Sequence, residues 1–220
     1  MDLSLRSGVT CLIGSNGSGK TTLLRILSGI DMPATGRVRV SERDLSTSEH
    51  LPGFLPQDFS APKKATCLDF LYYVAWSRRV PSTRRRLVIE NALSHTGLKD
   101  QEKRRIGALS GGMLRRLGIA QAIIHDPKFL ILDEPTVGLD PGQRLAIRDH
   151  VRKLAEDGVV VYSTHIVEDV RALADRVLVL RSGKLIFDGT VSSIKESAHR
   201  PEPGEDGLEQ AIGSLMGAQE

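Results

Sequence analysis

Gly14-Ser15-Asn16-Gly17-Ser18-Gly19-Lys20-Thr21, followed by Thr22, is the stretch whose reading decides the fold of this chain. It follows the phosphate-loop pattern G-x-x-x-x-G-K-[ST], and its flanks carry as much weight as its letters. Val9-Thr10-Cys11-Leu12-Ile13 ahead of it is apolar and rich in strand formers. Thr22-Leu23-Leu24-Arg25-Ile26-Leu27 behind it reads as a helix ending near Gly29. Strand, glycine-rich turn and helix N-terminus are the parts an anion cradle needs. The glycines let successive backbone N–H groups curl inward, and the helix dipole adds partial positive charge. Lys20 is expected to reach the outer phosphates of a nucleoside triphosphate, and Thr21 to give its hydroxyl to Mg²⁺. A chance glycine-rich turn would not have this strand and helix around it.

Working outward, residues 1–13 hold little more than one strand. Downstream come a turn at Met32-Pro33-Ala34-Thr35-Gly36, a short strand at Arg37-Val38-Arg39-Val40, a polar loop over 41–52, and a strand at Gly53-Phe54-Leu55 closed by Pro56 and Gln57. From 58 to 108 the texture turns helical and basic. Thr66-x-x-Asp69 reads as a capping box opening a helix to about Ser77. Pro81-Ser82-Thr83 introduces a second helix, and Leu109 to Gly112 starts a third. Buried strands then alternate with helices: Phe129–Leu132, a helix over 142–156, Val159–Ser163, a helix over 166–174, Val177–Leu180, and Lys184–Phe187 after a Ser182-Gly183 turn. Such alternation predicts an α/β fold, a mainly parallel sheet with helices on both faces. Residues 197–220 read as a flexible tail with a short helix near 208–216.

At 220 residues the chain can bury one sizeable α/β core with a subdomain. A net charge of +3 is too small to imply a nucleic-acid partner. Cys11 and Cys67 show neither C-x-x-C spacing nor a histidine cluster, which argues against a disulfide framework or zinc. No signal peptide or bilayer-spanning run is visible, so the expected place of work is the cytoplasm, with any membrane contact made through a partner.

Two further stretches carry chemistry. Strand 129–132 delivers Asp133 and Glu134 to a sheet edge, where Asp133 would stand beside Mg²⁺. Glu134 would accept a proton from the attacking water, work worth about 10²–10⁴ in rate. The blander reading is a pair of acids capping the next helix. Leu109-Ser110-Gly111-Gly112-Met113 opens a helix with a hydroxyl cap and free N–H donors, a second anion site in a chain that needs only one. That site makes sense if it serves the nucleotide held by another copy; alone, it would read as a simple helix start.

It does not stand alone. Gly14–Thr21, Gln57, Leu109–Met113, Asp133–Glu134, Gly138-Leu139-Asp140 and His165 occur in this order. Together they resemble the nucleotide-binding subunit of an ATP-binding cassette (ABC) transporter, over about residues 3–195. The resemblance implies a P-loop NTPase (RecA-like) core over 1–57 and 118–196 with an inserted helical subdomain over 58–117. It implies that Gln57 lies near Mg²⁺ at the joint to that subdomain, and that Asp140 crosses to a second nucleotide-binding subunit, expected to be another copy of this chain. It further implies that His165 contacts the γ-phosphate, and that Ser110 and Gly112 touch the γ-phosphate held by the opposite subunit. ATP and Mg²⁺ are the implied cofactors, and a separate transmembrane permease the implied partner, on whose cytoplasmic face the subunit would sit. Gly111-Gly112-Met113-Leu114-Arg115-Arg116-Leu117-Gly118-Ile119-Ala120-Gln121-Ala122 and Ser163-Thr164-His165-Ile166-Val167-Glu168-Asp169-Val170 look like the branch that partners ABC-2-type export permeases.

The chain departs from the family pattern at two places. Met113 stands where Gln is usual. No Phe, Tyr or Trp precedes Phe54, whereas family members stack an aromatic from an early strand on adenine. Such stacking is worth about 1–3 kcal/mol per base in nucleic-acid sites. The early strands are therefore expected to be short or missing, with weaker nucleotide affinity. Arg78, Arg79, Arg84, Arg85, Arg86, Lys99, Lys103, Arg104, Arg105, Arg115 and Arg116, against Glu90, Asp100 and Glu102, suggest either a basic face toward anionic headgroups or an ordinary solvated helix face. The competing functions are a soluble ABC-type clamp on nucleic acid or ribosomes, and a small-molecule kinase or GTPase. No Asn-Lys-x-Asp guanine reader is present, and in a kinase the Ser110 element would be idle.

Overall fold

The apolar strand runs are buried on both faces, as a parallel sheet covered by helices requires. In the computed structural model, which describes residues 2–40, 43–44, 51–197 and 207–217, β1 (Gly8–Ile13) leads into α1 (Lys20–Leu27). A small hairpin of β2 (Arg39–Val40) and β3 (Arg43–Asp44) precedes β4 (Gly53–Leu55). Helices α2 (Cys67–Ser77), α3 (Ser82–His95) and α4 (Gly111–Ile123) follow. The chain then alternates β5 (Phe129–Asp133), α5 (Pro141–Ala155), β6 (Val159–Ser163), α6 (Val167–Leu173), β7 (Arg176–Arg181) and β8 (Lys184–Gly189), and ends in α7 (Val191–Ser197) and α8 (Gly207–Met216). The main sheet has the order β4-β5-β6-β1-β7-β8. It is parallel throughout except for the β7–β8 pair.

Side-chain alternation divides the core. Val9, Cys11, Ile13, Leu130, Leu132, Val160, Tyr162, Val177 and Val179 face a cluster shared with Ile147 and Val151 of α5, Val170 of α6, Ile194 of α7 and Leu208 and Ile212 of α8. The intervening Leu12, Ile131, Val161, Leu178 and Leu180 face the other way, against Leu24 of α1. A third cluster belongs to the helical lobe and is built from Cys67, Leu71, Ile89, Leu93, Leu98, Leu117 and Ile124. Helix α4 serves two clusters: Leu117 and Ala120, with Ile124 just past its end, face the lobe, while Ile119 and Ala122 join the sheet core. Both cysteines are buried and free.

The capping box is present, with Thr66 Oγ1 accepting from Asp69 N at 3.1 Å and Thr66 N donating back to Asp69 Oδ2 at 3.3 Å. Two features differ from the sequence reading. The strand expected at 37–40 is confined to Arg39–Val40, and Arg43–Asp44 pairs with it antiparallel where a loop was expected; the rest of that loop, 41–42 and 45–50, lies outside the described residues. Helix α7 carries no expectation, although Thr190 and Ser193 exchange side-chain-to-backbone bonds at its start. The short terminal helix is present as α8 and is seated on the sheet core through Leu208, Ala211 and Ile212. Residues 198–206, which hold most of the expected flexible tail, lie outside the described residues. No strand precedes β1 among the described residues; Leu3 and Leu5 pack against the α1-side cluster instead.

Several of the basic residues expected on a lobe surface are used internally. Arg85 Nε donates to Val80 O at 2.9 Å, Arg86 pairs with Glu90 and Glu102, and Arg116 bonds the carbonyls of Thr96 and Gly97.

Candidate functional site

Parallel strands end with their carbonyls at one edge, and in open α/β sheets ligands gather outside that edge. Four segments leave it here: the Gly14 loop after β1, Gln57 after β4, Asp133–Glu134 closing β5, and Thr164–His165 after β6. An open depression of about 370 Å³ lies among them, lined by Asn16, Gly17, Gly19, Lys20, Thr21, Thr22, Gln57 and Glu134.

The loop is shaped by its glycines. Gly17 and Gly19 have φ of 77° and 99°, the left-handed region that glycine enters at no steric cost. Ser18 N closes the turn onto Ser15 O at 3.1 Å, and Gly183 N from the β7–β8 turn holds Ser18 O at 2.9 Å. Lys20 is largely buried, and its ammonium donates to Gly14 O at 2.8 Å and Ser15 O at 3.1 Å. The lysine thus lies along the loop, with its charge at the cradle.

Beside it, Thr21 Oγ1 donates to Asp133 Oδ2 at 3.1 Å. Ser163 Oγ donates to Asp133 Oδ1 at 2.6 Å and accepts from Glu134 N at 2.8 Å, so one hydroxyl orients both acids. Sequence reading quoted Ser163 at the end of strand 159–163 and at the start of the stretch that contains His165, and gave it no role. Glu134 is buried, with φ at 48°, an uncommon conformation for a non-glycine residue. Its carboxylate accepts from Gln57 Nε2 at 3.2 Å and stands 3.4 Å from His165 Nδ1. Gln57, Glu134 and His165 are therefore brought together around one carboxylate.

Behind His165 lies a buried network to whose members the sequence reading assigned no role. Asp169, fully buried, accepts from the hydroxyls of Thr136, Tyr162 and Thr164 and is ion-paired with Arg148. Thr164 Oγ1 in turn accepts from Ile166 N at 3.0 Å, which fixes the backbone flanking His165. Burial, followed by the Asp169 charge, pushes the Tyr162 phenol well above its ordinary pKa, so it remains a donor.

Ser110 and Asp140 are placed differently. Ser110 N-caps α4, accepting from Met113 N at 3.3 Å, and Asp140 N-caps α5, accepting from Gln143 N at 2.9 Å. The two helix starts are neighbours, because a Cβ on Gly112 would meet Gln143 Oε1 at 1.8 Å. Neither Ser110, Gly111, Gly112 nor Asp140 lines the depression of its own chain. Ser110 and Gly111 are exposed.

The donors fit a magnesium nucleotide. Mg²⁺ takes one or two carboxylates and completes its octahedron with water and phosphate oxygens. Thr21 and Asp133 supply a hydroxyl and one carboxylate in contact. No group of three or more His, Cys, Asp or Glu side chains forms a metal cluster among the described residues.

Loop, edge acids and sheet order define a nucleotide-binding domain of the phosphate-loop class. The sequence profile of the family described as ABC transporter matches residues 1–137. An uncharacterized ABC transporter ATP-binding protein, YxlF of Bacillus subtilis, is 36% identical over 186 residues, covering 84% of this chain and 62% of that protein. Nod factor export ATP-binding protein I of Rhizobium meliloti is 37% identical, covering 81% of this chain and 55% of its own. This chain thus spans somewhat over half the length of these two relatives. Among solved structures, cbiO1 from Clostridium perfringens, part of the ABC transporter complex cbiONQ, superposes with a TM-score of 0.76 at 28% identity, covering 90% of this chain and 83% of that one. The chain belongs to the ABC transporter ATP-binding family.

Proposed function

We propose that this chain is the ATPase subunit of an ABC transporter. It binds and hydrolyses Mg-ATP at a head-to-tail interface between two copies and drives a separate export permease from the cytoplasmic face of the membrane. The observation that carries this reading is the Glu134 carboxylate, buried at the mouth of the phosphate loop and flanked by Gln57 and His165.

In this reading the loop amides and Lys20 bind the phosphates, and Thr21 and Asp133 hold Mg²⁺, which spreads the phosphate charge. Gln57 and His165 orient Glu134, which takes a proton from the attacking water. Ser110, Gly111, Gly112 and Asp140 complete the site of the other copy. The exposure of Ser110, Gly111 and Asp140 at helix starts, outside their own chain's depression, supports that division of labour; Gly112 is buried. Export is favoured by the relative named for Nod factor export, and a permease partner by the solved neighbour that is part of cbiONQ. No helix among the described residues is long and apolar enough to cross a membrane, which suits a motor that acts through a partner. The permease-facing surface is best assigned to α2, where Tyr73 and Trp76 are exposed while Leu71, Val74 and Ala75 are buried.

The test is Glu134→Gln with ATP and Mg²⁺. Turnover is expected to fall by about 10²-fold or more, and a nucleotide-bound dimer to accumulate in size-exclusion chromatography. Near-parent turnover would reject Glu134 as the base. A variant that is inactive yet monomeric at every concentration would reject the shared site.

A further inference from the structure

Arg115 lies on α4, and it lines no part of the nucleotide depression. A guanidinium carries five N–H donors in a rigid plane, and here all of them meet backbone carbonyls. Nε donates to Pro135 O at 3.3 Å. Nη1 donates to Pro56 O at 2.9 Å and Gln57 O at 2.7 Å. Nη2 donates to Asp133 O at 2.5 Å and Glu134 O at 2.8 Å. The acceptors are the last residue of β5 and the residues just beyond β4 and β5, which include Gln57 and Glu134. Burial lowers the pKa of this guanidinium, and the charges of Asp133, Tyr162, Glu134 and Asp58 oppose that fall.

We propose that Arg115 is a positioning residue for hydrolysis: it sets the Gln57 and Glu134 backbones in one frame and ties that frame to the helix that Ser110 opens. The inference rests on the assignment of Glu134 made above. Glu134 is held in its left-handed conformation from both sides, by Ser163 at its N–H and by Arg115 at the carbonyls of residues 133, 134 and 135. Ser110 lies five residues earlier on the same helix, about 7.5 Å along its axis at 1.5 Å per residue. A shift of α4 that moves Ser110 against the opposite nucleotide therefore moves Gln57 and Glu134 in its own chain. Arg116 is the internal contrast. It is the next residue on the helix and bonds the carbonyls that end α3, remote from either loop.

The experiment compares Arg115→Lys, Arg115→Ala and Arg116→Lys in Mg-ATP hydrolysis, in affinity for a fluorescent ATP analogue and in Tm. A lysine keeps the charge but has three donors at one point, so it cannot span five carbonyls. Arg115→Lys is expected to keep analogue affinity within about threefold while kcat falls by about 10²-fold, the size of effect a misplaced catalytic group produces. Arg116→Lys is expected to change both by less than about threefold. Millimolar guanidinium ion should restore part of the Arg115→Ala rate; if that variant does not fold, Arg115→Lys decides. A folded Arg115→Lys with parent kcat would overturn the proposal, and so would an equal kcat loss in Arg116→Lys at equal Tm. Should Glu134→Gln keep its turnover while Arg115→Lys loses it, the base assignment fails and Arg115 still acts, through Gln57. The reverse pattern removes Arg115 and spares Glu134.

Discussion

At the scale of single residues, space around the phosphate loop is the decisive quantity. Gly14 is buried, and a Cβ there would lie 2.4 Å from Leu180 O and 2.4 Å from Ser18 Oγ. The first of these is backbone of β7 and cannot step aside. Gly14→Ala should push the loop off the strand end and weaken ATP binding about tenfold or more, given that overpacking costs about 1–3 kcal/mol. A titration with a fluorescent ATP analogue checks this; unchanged affinity would show that the cradle tolerates the shift. Gly14 is legible in the sequence because its neighbours form a pattern. Arg115 is not legible, because Arg115 and Arg116 look alike as letters and only their direction off α4 separates them. Asp169 was hidden for the same reason, an acid in a short helix whose burial no local pattern announces.

At the scale of elements, α2 offers a clean test of local coding. Its capping box joins Thr66 and Asp69 reciprocally, and Thr66 Oγ1 also donates to Asp69 Oδ2 at 2.6 Å. Thr66→Ala should cost about 1 kcal/mol, which lowers Tm by about 2–4 °C in a chain of this size. ATP affinity should not change, since α2 is remote from the phosphate loop. Calorimetry with and without nucleotide measures both. The box could be read directly because residues three apart in sequence make it. The Thr190–Ser193 exchange that starts α7 has the same spacing, but no apolar run follows to flag it. The β2–β3 hairpin is shorter than any reading from strand propensity could resolve.

At the scale of the whole molecule, two histidines tie stability to pH. Burial holds the His125 imidazole below its ordinary 6.5, opposed by its bond to Leu51 O. His150 is lowered by burial and by the charges of Lys153, Arg116 and His95. A depressed pKa means that the unfolded chain takes up the proton first. The stabilisation is present above about pH 6.5 and is lost as pH falls through the lower folded values. Tm should therefore be level above about pH 7 and decline as pH falls below about 6.5. Replacement of His125 with Gln should flatten part of that slope, as Tm scans at matched ionic strength would reveal. An unaltered slope would place the acid sensitivity elsewhere.

The sequence by itself determined the class of this protein. Strand, glycine turn, lysine and edge acids are short-range patterns, and the physics that makes them bind phosphate acts within a few residues. Only the tertiary structure decided which side chains stand behind those acids. Ser163, Arg115 and Asp169 act across separations of 18 to 59 residues. Such contacts come from the order of the strands and the rotation of each helix, which no local window of sequence contains.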